Sequence, residues 1–166
     1  FTTGQATDVL DTDIKLNGHN FIAADDLGDL SADTAMGTTI ANLINANTGL
    51  HGAIASSFNS VTSNPVGDDF TMTTTFTINS ATIDIVNSYE ELVTEINQEA
   101  TGVTAVLNSD NTITLSNDDG QDIAFSAAQG ATDVGFTLNA AATTYTGFLQ
   151  LENCLLYTSD AADDLY

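Results

Sequence analysis

The side chains able to do chemistry are few. His19 and His51 are the only imidazoles. With Asp11, Asp13 or Asp25 they could in principle complete a zinc site of nitrogen and oxygen ligands. The pattern argues against one. No H-E-x-x-H is present, and each histidine closely follows a turn signal, Asn17-Gly18 or Gly49, so both are expected as exposed loop residues. Ser56 and Ser57 beside His51 could be drawn as a nucleophile with its base. There is no G-x-S-x-G elbow, and Ser and Thr occur throughout the chain. The acidic pairs Asp25-Asp26, Asp68-Asp69 and Asp118-Asp119 offer hard oxygen ligands of the kind Ca²⁺ takes. The run Asn117 to Asp122 comes nearest to a binding loop. It lacks the closing Glu of an EF-hand and the repetition of a calcium β-roll, and it reads as a β-turn of Asp and Gly. The stripe Tyr89-Leu92-Val93-Ile96 could dock a partner helix, but packing on its own sheet is expected. No catalytic, cofactor-binding or metal-ligating residue is assigned, no cofactor is expected, and the chain is read as not an enzyme.

Composition narrows the function further. The 166 residues include 23 acids and one Lys+Arg residue, Lys15, for a formal charge of −22. Nucleic-acid affinity comes from counterion release by Lys and Arg, so that class of partner is excluded, and an anionic membrane surface is disfavoured for the same reason. No apolar run approaches the ~18 residues a spanning helix needs. Hydrophobic residues make up 42% and charged ones 14%, enough apolar side chain for a core. The chain begins at Phe1 with no signal-like region and reads as a piece of something longer.

The segment Cys154-Leu-Leu-Tyr-Thr-Ser-Asp-Ala-Ala-Asp-Asp164 resembles the conceptual translation of a transposase-type sequencing-library adapter. Residues 154–166 are therefore expected to be an artefactual tail outside the fold. Setting aside Asp160, Asp163 and Asp164 takes the charge from −22 to −19. It also removes the only cysteine, so neither a disulfide nor thiolate chemistry is expected.

The elements that remain form two related units. In the second, Thr75–Ile78 and Ala81–Ile85 alternate as half-buried strands about an Asn79-Ser80 turn. Ser88 and Glu91 have capping-box spacing. Tyr89, Leu92, Val93, Ile96 and Ala100 follow as one helical face, and Gly102 is a natural stop. Three short strands come next, over 103–107, 112–116 and 122–125, read as a meander. The first unit repeats the plan. It has a hairpin about Asn17-Gly18, then a helix from Asp33 or Thr34 carrying Met36, Ile40, Leu43 and Ile44. Ile44-Asn45 matches Ile96-Asn97, and Thr48-Gly49-Leu50 matches Thr101-Gly102-Val103. The extra loop lies around Asp25 to Ala32. A single strand over Leu50–Phe58 and a break at Ser63 to Gly67 end the unit. The expectation is an α+β fold of two tandem small modules, 1–66 and 67–153, each an antiparallel sheet packed against one helix. Ile78, Ile83, Leu92, Ile96, Val103, Leu107 and Leu115 are the expected core.

The stretch Phe76-Thr-Ile-Asn, Glu90-Glu-Leu-Val…Ile96-Asn97, Thr101-Gly-Val-Thr-Ala105 and Asp119-Gly-Gln-Asp-Ile123 resembles the IN motif of bacterial flagellins. That motif belongs to their central variable region. Ser80 stands where that motif usually has Gly, and Thr144 to Leu151 is similar to the strand that leads out of such repeats. The resemblance implies a structural, non-catalytic role in motility: an exposed outer domain of a secreted, extracellular flagellum filament subunit. Its partners would be other flagellin subunits, joined through segments missing from this chain, with no nucleic acid, membrane or small-molecule substrate. The alternative is a Ca-dependent or glycan-binding extracellular adhesin module. An acidic surface repeated along a filament would repel its neighbours, over only ~8 Å at physiological ionic strength.

Overall fold

The structure is a computed structural model that describes residues 15–20, 22, 36–65, 70–126, 128–136 and 142–153. The fold is α+β. Its described elements are β1 (Lys15–Leu16), β2 (His19–Asn20), α1 (Met36–Ala46), α2 (Thr48–His51), β3 (Ala53–Thr62), β4 (Phe76–Ile78), β5 (Ala81–Ile83), α3 (Tyr89–Glu99), β6 (Thr104–Leu107), β7 (Ile113–Asn117), β8 (Ile123–Ser126), α4 (Ala128–Asp133), β9 (Ala142–Tyr145) and β10 (Phe148–Asn153).

Local sequence sets most of these elements. Asn17 and Gly18 take φ of 51° and 81°, the two positive values a tight hairpin turn requires. Asn79 and Ser80 do the same at 48° and 73°. At the start of α3, the Glu91 N–H donates to Ser88 Oγ at 3.1 Å. The Glu91 carboxylate reaches back one residue past the cap, accepting from the Asn87 N–H at 2.9 Å. Ordering this turn satisfies donors the first helical turn leaves orphaned.

The sheets are not divided as the two-module reading expects. Besides the two-stranded β1-β2 sheet there are two four-stranded ones, of order β10-β3-β7-β6 and β5-β4-β8-β9, and every pairing is antiparallel. Strand β3, from the first unit, lies between β10 and β7 of the second, so hydrogen bonds cross the boundary drawn at residue 66. The meander is also split. β6 and β7 pair in one sheet, and after residue 117 the chain crosses to the other, where β8 joins β4 and β9. The crossover is pinned from the inside. The buried side chains of Asn59 and Asn117 both donate to the Gln121 carbonyl, at 2.9 and 2.8 Å. Gly120 there takes φ 69° and sits against Ser57 and Gly147 so closely that a Cβ on Gly147 would run into the Gly120 carbonyl.

Both sheets and α3 share one core. Ile113 and Leu115 from one sheet, Phe76, Ile78, Ile83 and Phe125 from the other, and Leu92 and Ile96 of α3 are at most 2% exposed. Each of the two helical side chains contributes roughly 1.5–3 kcal/mol by leaving water. Of the expected core, Leu107 alone is half-buried. A smaller core lies under α1, where Ala41 and Ile44 meet Ile22 and Ala55 of β3.

Two asparagines attach the helices to the strands. Asn97 donates from Nδ2 to the Ala105 carbonyl at 3.0 Å and accepts from the Ala105 N–H at 2.8 Å. Asn45 makes the same pair of bonds to Ala55, both at 2.8 Å. Opposed residues of an antiparallel ladder alternate between bonded and non-bonded pairs. Ala105 faces Leu115 across β6–β7. Because its N–H and C=O go to Asn97, they point away from β7, toward the open edge of the sheet. The amide thus stands where a neighbouring strand would. At Ala55 the Asn45 amide fills the space beyond the end of β7.

Two outcomes follow. Replacing Asn97 with Ala leaves both groups of Ala105 without their partner and is expected to lower the unfolding free energy by about 1–3 kcal/mol. Asn97→Asp, which cannot donate to the carbonyl, should cost no less. Urea melts with an unchanged slope and a lower midpoint would show this, and a midpoint equal to the parent's would refute it. Ser80→Gly relieves a side chain at φ 73° and should raise the unfolding free energy by about 0.5–1 kcal/mol, read as a higher midpoint at unchanged slope.

Candidate functional site

The structure places the chemically capable residues apart, in structural roles. His51 is 2% exposed, which corrects the expectation of an exposed loop histidine. Its Nδ1 accepts from the Ala53 N–H at 3.1 Å, and its Nε2 lies 3.1 Å from the Ile44 carbonyl. These partners define the neutral Nε2–H tautomer. The ring closes the turn between α1 and β3, where Gly52 at φ 74° ends α2. Gly52, rather than Gly49, is therefore the counterpart of Gly102 at φ 80°. The sequence comparison misses this by aligning Thr-Gly pairs and ignoring the extra helical turn. His19 is exposed on the β1–β2 hairpin. Asn17 of that hairpin donates to the His51 carbonyl at 2.7 Å.

The serines do not meet an imidazole. Ser56 is exposed. Ser57 Oγ donates to the Asp119 carbonyl at 2.9 Å, where the Thr38 hydroxyl also donates. The carboxylate of Asp119 is turned back on its own loop, accepting from the Gln121 N–H at 3.2 Å and Gln121 Nε2 at 2.8 Å. That is the Asp-and-Gly turn expected from the sequence. Asp11, Asp13, Asp25-Asp26, Asp68-Asp69 and Cys154 lie outside the described residues. Among the described residues no group of three or more His, Cys, Asp or Glu side chains is placed to hold a metal ion. The Tyr89-Leu92-Val93-Ile96 stripe packs on its own core, with Tyr89 edge-on to Phe70 at 4.7 Å. A shallow depression lined by Gly102, Thr104, Asn117, Asp118 and Asp119 opens to solvent beside the crossover.

Sequence reasoning missed the residues that matter most at these junctions. The sequence marks Asn45 and Asn97 only as repeat positions, through the recurrence of Ile-Asn at 44–45 and 96–97, and Asn117 only as the start of a turn; none of them is given a contact. The meeting of Asn59 with Asn117 carries no signal in the sequence, because it depends on β3 lying beside β7.

The sequence matches no protein-family model and no curated protein. Among the described residues, no helix is long and apolar enough to cross a membrane.

Asp110 illustrates the electrostatics of the loops. Its carboxylate accepts from Thr112 Oγ1 at 2.8 Å and the Thr112 N–H at 3.2 Å. The hydroxyl first, then the backbone bond, hold it below the usual 3.8. Folding favours its ionised form, so its contribution is present above the unfolded value and lost as the pH falls through the lower folded one. An NMR titration should place the Asp110 midpoint below 3.8 and return it toward that value in Thr112→Val. A midpoint that ignores Thr112 would contradict the assignment.

Proposed function

We propose that this chain is a structural, surface-exposed outer domain of a flagellin-like filament subunit, extracellular in location and without catalysis. The observation that carries the reading is the twice-used Ile-Asn pair. In both units the isoleucine is fully buried. In both, the adjacent asparagine bonds a strand residue through its N–H and C=O. The motif that resembles the flagellin repeat therefore has one mechanical task in each copy, fastening a helix to a strand. The apolar face of α3 and the turn carboxylates of Asp110 and Asp119 are taken up in packing and local hydrogen bonds, which suits a part whose work is to fold and present a surface. The adhesin reading would need carboxylates converging on an ion, and Asp119 is instead committed to Gln121.

Antibodies against the chain provide the test. On the source cells, immunogold label should decorate intact filaments along their whole length. Label confined to the cell envelope, or a rise of several degrees in melting temperature on adding Ca²⁺ that EDTA reverses, would favour the adhesin.

A further inference from the structure

The crossover between the two four-stranded sheets is built on two buried amides with more acceptors than donors to meet them. The Ser63 N–H donates to the Ile113 carbonyl at 2.9 Å. By the alternation of an antiparallel ladder, Asn59 and Asn117, which face each other further along the same pair of strands, are therefore a bonded pair. Their backbone groups are spent on one another. Their side chains leave the sheet on its inner face, the face that also carries Val61 and Leu115 into the core. Asn59 is 1% exposed and Asn117 5%.

The partners fix which way each amide points. Asn59 Nδ2 gives one hydrogen to the Gln121 carbonyl at 2.9 Å and the other to the Tyr145 carbonyl at 2.7 Å. Asn117 Nδ2 donates to the same Gln121 carbonyl at 2.8 Å. Turning either amide over would set its oxygen against a carbonyl oxygen, two acceptors with no hydrogen between them. Each Oδ1 is thus locked on the other side of its amide. Both oxygens are shut off from solvent, and neither meets a hydrogen-bond donor among the described residues. A buried acceptor in that condition costs stability, and protein interiors meet such atoms with ordered water.

The ligand that fits must donate to two neutral oxygens carried by residues whose Cα atoms lie about 5.5 Å apart. A water has two hydrogens, one for each. A cation would give up its hydration for two uncharged amides. Solvent lies close by, since Asn117 lines the depression that opens beside Thr104 and Asp118. We propose that Asn59 and Asn117 bind one ordered water between their Oδ1 atoms, so that the crossover at Gln121 is held by a closed unit of two amides, one backbone carbonyl and one water. Removing the Asn117 amide then removes the water with it.

A crystal structure of the full 166-residue chain that resolves ordered solvent reads the occupant by distance. The expected result is a single oxygen atom about 2.8 Å from both Oδ1 atoms. An atom at about 2.0–2.6 Å, ringed by further oxygens, would be a metal ion and would overturn the proposal. So would two amides with nothing bound between them. In solution, oxygen-17 relaxation dispersion counts the waters a protein holds far longer than its surface does. Asn117→Leu, which keeps the size of the side chain and loses the acceptor, should hold one such water fewer than the parent at an unchanged far-UV spectrum. Equal counts in parent and variant would contradict a shared water.

Discussion

The fold depends on how two helices are fastened to strands that, among the described residues, are paired on one side only at the point of attachment. An α-helix offers a sheet only side chains, and burial of Ile96 or Ile44 sets distance but not register. Asn97 and Asn45 supply the register. A primary amide carries one donor group and one acceptor in nearly the spacing of a backbone N–H and C=O. Each side chain therefore closes the same two bonds that a further strand would make, to Ala105 and to Ala55. An unmet pair at a strand edge would leave two backbone groups dependent on water or on another chain. The amide satisfies them locally and ends the sheet at β6.

The rest of the architecture follows from where those fastenings fall. With α3 held along β6 and in contact with β5, Leu92 and Ile96 enter the space between the two sheets, and one core serves both. With α1 held on β3, the first half of that long strand builds the small core and its second half, through Val61, enters the large one. The buried Asn59–Asn117 pair then sends the chain across at Gln121. Among the described residues, most acids lie on α3 and in the loops between β6 and β8.

What was legible in the sequence was local. The Asn17-Gly18 and Asn79-Ser80 turns, the Ser88–Glu91 cap, the stripe through Ile96 and the alternating strands each declare themselves within a few residues. The structure has them there. The sheet partition was not legible. A strand of residues 53–62 that pairs with 113–117 and 148–153 is chosen by long-range packing, and two similar units in tandem invite the simpler reading of one sheet each. His51 defies a local reading, because a lone imidazole after a glycine looks solvated. Its burial depends on two backbone groups, Ala53 N–H and Ile44 C=O, that only the folded turn brings to its ring. The site residues fared alike: the Asp118-Asp119 turn was readable from its composition, and the inward asparagines were not.

Amide hydrogen exchange at Ala105 and Ala55 tests the central claim most directly. If the asparagine amides stand in for missing strands, both backbone N–H groups should exchange as slowly as that of Leu115 in the middle of the sheet, although neither points at a neighbouring strand. Exchange at the rate of an open strand edge would mean that the side chains do not hold them, and the account of how these helices are fixed would fail.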